Sequence, residues 1–198
     1  MRTAEFDRTF VLRQAMQTFM QYGYSKTSMQ RLTLATGLHP GSIYCAFKNK
    51  KGLLLAAIEQ YQTDKDEQLK LHFSSYPTFK DGLTSFLESI VNGSASEECS
   101  RVCLLTKTLS EIEGQDEEVS RVLAKNLNQF EQTITHLFNA AVENKELSSQ
   151  IDTQARAQFL VLGIYGLRTY AMTTNYQKKL NHLANQLLAV VLKNDSVE

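Results

Sequence analysis

The chain has 198 residues, of which 42% are hydrophobic, and its 21 cations balance 21 anions to give a formal net charge of zero. This length allows one or two domains with a sizeable core, and only two prolines and nine glycines predict long helices with few breaks. No apolar run is long enough to cross a bilayer, no apolar secretory segment stands at the start, and three cysteines show no paired framework. The composition therefore argues against a membrane-spanning or disulfide-stapled secreted protein, and we expect a cytoplasmic one.

The charges are unevenly distributed along the chain. The first 55 residues carry eight cations against two anions, a net charge of +6, so the remainder carries a net charge of −6. A basic segment ahead of an acidic body is typical of a protein that contacts nucleic acid through one part of the chain. An ordinary solvated basic surface is the alternative interpretation.

The first predicted helix covers residues 3–22. Its apolar residues repeat at helical spacing and form one stripe, made of Leu12, Ala15, Met16, Phe19 and Met20. Gly23 is expected to end this helix. The stripe predicts a core that supports the following helices, and the arginines at 2, 8 and 13 reach DNA only if their end of the helix lies near it.

A second helix is predicted over 28–36. Thr27 is the expected N-cap, and Gln30 three residues later completes a capping box. Gly37 is the expected C′ residue, because glycine enters the left-handed conformation at little cost. A short turn that contains Gly37 then leads into another short helix.

A third helix is predicted over 40–47. His39 caps it, and Pro40 occupies its first position, where the missing N–H is not needed. Ile43 and Phe47 are expected to face inward with Tyr44 beside them. Two short helices joined by a glycine-containing turn are typical of a helix-turn-helix.

A long helix is predicted over 49–73. Its first turn carries Lys50 and Lys51, which have the wrong sign for the helix dipole. A DNA phosphate bound by the first-turn N–H groups and by Lys50 would account for this charge. The polar run at 74–78 is the clearest linker.

The remaining chain is predicted to form a helical body. Asp116 and Asp152 are expected N-caps within it. The predicted helices cover residues 79–92, 99–113, 117–145, 153–173 and 176–193.

The last two predicted helices, 153–173 and 176–193, are apolar on most sides. A helix that is apolar all round is buried all round, and a second copy of the same helix pair is a natural cover in a body of this size. We therefore expect a homodimer that joins these two helices of each copy in a four-helix bundle. Two ordinary core helices in a monomer are the alternative.

The stretch G-Y-S-K-T-S-M-Q-R-L-T-L-A-T-G-L-H-P-G-S-I-Y-C-A-F-K-N-K-K-G-L-L resembles the DNA-binding domain of the TetR family of transcriptional regulators. The match covers about residues 8 to 60 and rests on the spacing of Gly23 and Tyr24, Thr27, Ala35 and Gly37, Gly41 to Tyr44, Phe47 and Lys50, and Leu53 and Leu54. His39 departs from the small cap that is common in the family. The resemblance implies an all-α protein with a three-helix helix-turn-helix DNA-binding head at 1–48 and a helical-bundle body for ligand binding and dimerisation at 49–198.

The resemblance implies a double-stranded DNA operator as the partner, read as a pseudo-palindrome by a homodimeric repressor that a small molecule releases. The second helix of a helix-turn-helix presents its N-terminal residues to base edges, which here are Leu38, His39, Pro40 and Gly41. These are short or apolar apart from the histidine, so DNA shape and thymine methyl groups are expected to contribute to recognition. The predicted DNA-binding residues also include Ser28 and, by the family's pattern, the phosphate contacts Thr27, Ser42, Tyr44, Lys48 and Lys50. Thr27 as a cap only, and Tyr44 as packing only, are the alternatives for those two residues.

The resemblance also implies a mostly apolar small-molecule pocket inside each body. Simple core packing is the alternative for every candidate, and no cofactor is predicted. The candidates are Phe86, Ile90, Cys103, Thr106, Phe130, Ile134, Phe159, Leu162 and Tyr165.

Two of the three cysteines suggest an alternative form of regulation. Cys99 and Cys103 are four residues apart and share a helix face, and nearby cations favour the thiolate. The Cys103-Leu104-Leu105 run is similar to a segment of electrophile-sensing members of the family, so a redox or electrophile sensor is a second hypothesis. Burial of both thiols in the core is the alternative, and Cys45 is expected to pack.

No enzymatic activity is predicted. The sequence has no glycine-rich phosphate loop, no H-E-x-x-H and no C-x-x-C, and its four histidines do not have metal-ligand spacing. A helical-bundle enzyme that uses Cys103 with His136, and a helical interaction protein that does not bind DNA, are the remaining alternatives. A steep salt dependence of duplex binding would distinguish a DNA-binding protein from both.

Overall fold

The computed structural model describes residues 6–92, 116–173 and 176–193, and all the regular structure in these ranges is α-helical. The predicted all-α class is confirmed there. The helix predicted over 99–113 lies outside the described residues. The eight described helices are α1 (Arg8–Tyr22), α2 (Met29–Thr36), α3 (Pro40–Phe47), α4 (Lys50–Ser74), α5 (Phe79–Asn92), α6 (Glu117–Glu143), α7 (Thr153–Thr173) and α8 (Gln177–Leu192).

The chain divides into two compact units. Of the described residues, unit 1 contains 6–65 and 116–126, and unit 2 contains 66–92, 127–173 and 176–193. Unit 1 thus adds the first part of α4 and the start of α6 to the three N-terminal helices. The functional division at residues 48 and 49 stays a prediction.

Helix α1 begins at Arg8 and not at residue 3 as predicted. Asp7 caps it, because its carboxylate accepts a hydrogen bond from the Phe10 backbone N–H at 3.0 Å. The apolar pattern extended the prediction past this cap. Gly23 ends the helix as predicted, in a backbone conformation with φ 81° that glycine adopts without strain.

Helix α2 has a different cap from the predicted one. Ser28 is the N-cap and accepts from the Arg31 N–H at 3.2 Å. Thr27 is completely buried, and its hydroxyl donates to the Gly23 carbonyl at 2.5 Å. The predicted Thr27 capping box is therefore wrong, since that hydroxyl stabilises the preceding loop. Gly37 ends α2 in the left-handed conformation, as predicted.

Helix α3 follows the prediction at both ends. His39 is the N-cap, its Nδ1 accepts from the Gly41 N–H at 3.3 Å, and Pro40 occupies the first turn. Asn49 then starts α4, because its side chain accepts from the Gly52 N–H at 2.8 Å. Local side-chain caps therefore separate these two helices.

The core of unit 1 is built from the inward faces of α1 to α4 and from the start of α6. Burying these aliphatic and aromatic side chains supplies most of the stabilisation of such a small unit. Its most buried large side chains are Phe19, Leu32, Ile43, Leu53, Leu54 and Ile58, and Val119 and Leu123 of α6 are also buried.

Unit 2 is a bundle in which α5, α7 and α8 pack against one another. Thr78 and Asp81 form a reciprocal capping pair at the start of α5, and Asp152 caps α7 as predicted. Gly163 lets α7 approach α8 closely, since an added Cβ there would lie 2.4 Å from the Leu187 side chain. The core includes Leu83, Leu87, Ile134, Phe138, Leu160 and Ile164.

Candidate nucleic-acid interface

The N-terminal end of α3 presents mostly short side chains at the surface. His39 and Gly41 are exposed, whereas Pro40 and Ser42 are half-buried. Buried Ile43 and Phe47 fix the opposite face of the helix in the core of unit 1. Of the residues predicted to reach base edges, His39 and Gly41 are thus exposed at the start of α3, while Leu38 and Pro40 are half-buried.

Two further side chains extend this surface toward the C-terminus of α3. Tyr44 is 50% exposed and Lys48 is exposed, so both are accessible to a phosphate. Cys45 is also exposed and has a free thiol, so the prediction that it packs is wrong. The spacing of Ile43 and Phe47 places residue 45 on the outer face of a helix with 3.6 residues per turn.

Lys50 and Thr27 are engaged inside unit 1. The Lys50 ammonium donates to the carbonyls of Tyr24 at 2.9 Å and Thr27 at 3.1 Å, and it lies 4.3 Å from the centroid of the Tyr24 ring. Burial raises the pKa of that tyrosine above its ordinary value. An ammonium has three N–H donors, so one remains for a phosphate, while the buried Thr27 side chain faces the protein.

Other cations of unit 1 are held by aromatic rings and by carboxylates. Arg31 lies 3.9 Å from the centroid of the Tyr22 ring on the exposed side of α2, a geometry that orients a guanidinium. Arg13 makes a bidentate pair with Asp64, with both N···O distances 2.8 Å. Arg31 is an exposed cation within α2, the first helix of the helix-turn-helix, and it was not among the predicted DNA contacts. The excess of basic residues in the first 55 positions was the available signal.

Lys51 contacts the start of α6. Its ammonium lies 3.1 Å from Asp116 and 2.7 Å from Glu118. Hydrogen bonds to Glu118 and then to Asp116 raise the pKa of Lys51, and Lys51 in turn lowers the pKa of the Asp116 carboxyl. Asp116 also caps α6 as predicted, since it accepts from the N–H groups of Glu118 and Val119.

The predicted pocket residues of the body are only partly brought together. Phe86, Ile90, Phe130 and Tyr165 are partly buried against the core of unit 2 that contains Ile134, and the rings of Phe130 and Tyr165 meet edge-on at 6.5 Å. Cys103 and Thr106, like Cys99, lie outside the described residues.

Phe159 and Leu162 are 45% and 69% exposed and do not point into this core. They follow one face of α7 with Gly166, which is also exposed, and Val190 of α8 is 49% exposed. Large exposed apolar side chains at helical spacing mark an interaction surface. This α7/α8 apolar face is where the sequence predicts the second copy.

A cavity of about 120 Å³ opens between α5 and α8. Its lining residues include none of the predicted pocket residues. They are Thr84, Leu87, Glu88, Val91, Asn92, Asn181, Ala184, Asn185 and Leu188. Its volume is below the roughly 300 Å³ at which small-molecule pockets usually begin.

Within the described ranges, no cluster of histidine, cysteine or acidic side chains has the geometry of a metal site. Nor does any described helix combine the length and apolarity that crossing a membrane requires.

Two family models match this chain in sequence order. The model of the bacterial regulatory proteins of the tetR family matches residues 11–57, and a tetracyclin repressor-like C-terminal domain matches residues 80–187. Because the second match alone spans more than half of the chain, the chain belongs to the TetR family. The resemblance drawn from the helix-turn-helix is confirmed, and the protein is a DNA-binding transcriptional regulator.

Known relatives match along almost their whole length. The uncharacterized HTH-type transcriptional regulator YezE of Bacillus subtilis (strain 168) is 26% identical over 96% of this chain and 98% of its own. The HTH-type transcriptional repressor ComR of Escherichia coli (strain K12) is 25% identical, over 94% and 90% respectively. A cysteine mutant of the TetR family regulator CifR, solved with a 26-base-pair operator DNA, is 24% identical with a TM-score of 0.79, covering 94% of this chain and 98% of that one.

Proposed function

We propose that this regulator is a repressor that binds a pseudo-palindromic operator as a homodimer in the cytoplasm, without enzymatic activity. The observation that carries the proposal is the exposed face of α3, which presents His39, Gly41, Tyr44 and Lys48 to solvent. The N-terminal residues of this helix are the ones that meet base edges in a helix-turn-helix. Repression is further supported by the similarity to ComR.

Within this proposal the exposed residues have separate roles. Tyr44 and Lys48 bind backbone phosphates, which fix the register of α3 on the duplex without reading sequence. His39, Pro40 and Gly41 approach base edges, and Ser28 and Ser42 donate to phosphates. Lys50 contributes its remaining N–H, and the contribution of Thr27 is to hold the loop that precedes α2, through its bond to Gly23.

The homodimer follows from the α7/α8 apolar face. Exposed Phe159 and Leu162 are covered when the same face of a second copy packs on them. Two copies of unit 1 then read two half-sites related by a two-fold axis, which gives the operator its pseudo-palindromic form.

We also propose that a small molecule binds the body and releases the operator. The match to a tetracyclin repressor-like C-terminal domain supports this role, and the partly buried aromatic residues Phe130 and Tyr165 supply apolar walls of the kind that such pockets use. Native mass spectrometry of the purified protein before and after denaturation would detect a co-purified small molecule. A redox or electrophile response through Cys99 and Cys103 remains the second hypothesis, tested by mass spectrometry after mild oxidant.

Selection of genomic fragments tests the proposed function. Sheared genomic DNA from the source organism is incubated with the immobilised full chain, and the bound fragments are sequenced. We expect enrichment of intergenic fragments that share an inverted repeat, and loss of that enrichment in a Lys48→Ala variant. Equal recovery of all fragments by the parent and the variant would contradict operator binding.

A further inference from the structure

The first turn of α4 carries two adjacent cations with different partners. It contains no acidic residue, although the N-terminus of a helix favours negative charge. The Lys50 ammonium is taken up by two backbone carbonyls of unit 1. Lys51 is therefore the first-turn cation whose charge is balanced by carboxylates.

Those carboxylates come from a distant part of the sequence. Asp116 and Glu118 stand at the start of α6 and both lie within 3.1 Å of the Lys51 ammonium. Asp116 is held in place as the cap of α6, so the start of that helix presents both groups to one cation. Two carboxylates around one ammonium give the cluster a local charge of −1.

We propose that Asp116 and Glu118 limit the affinity of unit 1 for DNA by occupying Lys51 and keeping it from backbone phosphates. This inference rests on the proposed DNA-binding role of unit 1. A phosphate oxygen and a carboxylate compete for the same ammonium, and the net negative cluster also repels an approaching phosphate. The two acidic residues thus hold Lys51 away from the phosphates of the operator.

The exposure of the cluster makes this competition effective. The side chains of Lys51, Asp116 and Glu118 are 33%, 28% and 54% exposed. Ion pairs at such sites are weak and sensitive to salt, so a phosphate or a substitution readily changes the partner of the ammonium. A deeply buried pair would not exchange in this way.

Glu118→Gln and Glu117→Gln form a matched pair for the test. Both remove one charge from the first turn of α6 and preserve side-chain size, but only Glu118 contacts Lys51. Affinity is measured by fluorescence anisotropy with a mixed-sequence duplex of about 30 base pairs, long enough for two half-sites. We expect Glu118→Gln to bind about two- to fivefold more tightly than Glu117→Gln at low salt.

Salt dependence and the Lys51→Met background separate this role from a merely structural one. In an Asp116→Asn/Glu118→Gln double variant, in which asparagine still caps the helix, the slope of log K against log salt should steepen by about 0.9 for each phosphate gained. In the Lys51→Met background, Glu118→Gln and Glu117→Gln should bind equally. Thermal unfolding of each variant confirms that it is folded.

Equal affinity of Glu118→Gln and Glu117→Gln in the parent background would overturn the inference, as would an advantage of Glu118→Gln that persists without Lys51. In both cases salt-dependent binding by the parent would leave the proposed function intact. If the parent itself shows no salt-dependent binding to duplex DNA, the proposed function fails and the inference fails with it.

Discussion

At the scale of single residues, neighbouring side chains of the same chemical type have separate tasks in unit 1. Ser28 caps α2, while the hydroxyl of Thr27 is buried against Gly23. Lys50 closes the loop before α2, whereas the adjacent Lys51 pairs with α6. Residue type alone therefore does not assign a phosphate contact, and exposure is the property that distinguishes Tyr44 and Lys48.

Tyr44→Phe removes one exposed hydroxyl and leaves the ring in place. We expect the variant to bind every duplex sequence more weakly by about 1 kcal/mol, because the lost hydrogen bond goes to a DNA phosphate and not to a base. Anisotropy with a mixed-sequence duplex and with a selected operator measures this. Tyr176→Phe, which removes the hydroxyl of an exposed tyrosine in unit 2, is the control and should bind like the parent. A loss confined to the operator would show that Tyr44 reads sequence.

The Arg13–Asp64 pair predicts how stability depends on pH. Hydrogen bonding from Arg13, together with Gln60, lowers the pKa of the Asp64 carboxyl in the folded state. A carboxyl with a lowered pKa stabilises the fold above its unfolded pKa of about 3.9, and this contribution disappears as pH falls through the folded pKa. We expect Asp64→Asn to lose about 1 kcal/mol at neutral pH and little at pH values below the folded pKa. Urea unfolding at several pH values tests this, and a pH-independent loss would contradict it.

At the scale of elements, several helix ends were predictable from a local signal. Gly37, His39 with Pro40, and Asp152 each end or begin a helix where the sequence predicts, because a cap or a left-handed glycine acts within a few residues. The start of α1 was missed because the apolar repeat continued past the cap of Asp7. The contacts of Lys51 with residues 116 and 118 have no local signal, since they depend on how distant segments fold together.

Gly163 is an element-scale prediction about how α7 and α8 pack. An added methyl group would meet the Leu187 side chain at 2.4 Å, so we expect Gly163→Ala to destabilise the protein by about 1 to 3 kcal/mol through overpacking. In a Leu187→Ala background the same substitution should cost much less, because the truncated side chain leaves room. Chemical unfolding of the four proteins measures this coupling. Equal costs in both backgrounds would show that the close approach does not limit stability.

At the scale of the whole molecule, we propose that the α7/α8 apolar face determines the oligomeric state. We expect Leu162→Glu to convert the dimer to a monomer, because it places a charge in the apolar interface. Leu71→Glu is a matched control, since Leu71 is 68% exposed and Leu162 is 69% exposed, both in unit 2. Analytical ultracentrifugation at micromolar concentration measures the mass. A dimer that survives Leu162→Glu but not Leu71→Glu would place the interface elsewhere.

The oligomeric state and the basic residues of unit 1 together determine how the protein binds DNA. The sequence predicted the helix-turn-helix, the inward direction of Ile43 and Phe47 and the apolar helix pair, because each depends on helical spacing. Phe159 and Leu162 were predicted to line a pocket but face outward. Helical spacing alone does not say which apolar face meets solvent.

The salt dependence of duplex binding by the full chain tests the central claim most directly. Lys48 and Lys50 are the cations proposed to bind phosphates in each copy, so a dimer that neutralises about four phosphates should show a slope of log K against log salt of about −3.6. We expect this slope for the parent and a shallower one for Lys48→Ala. Binding that does not change between low and physiological salt, or no binding at all, would contradict the claim that basic residues of unit 1 bind the DNA backbone.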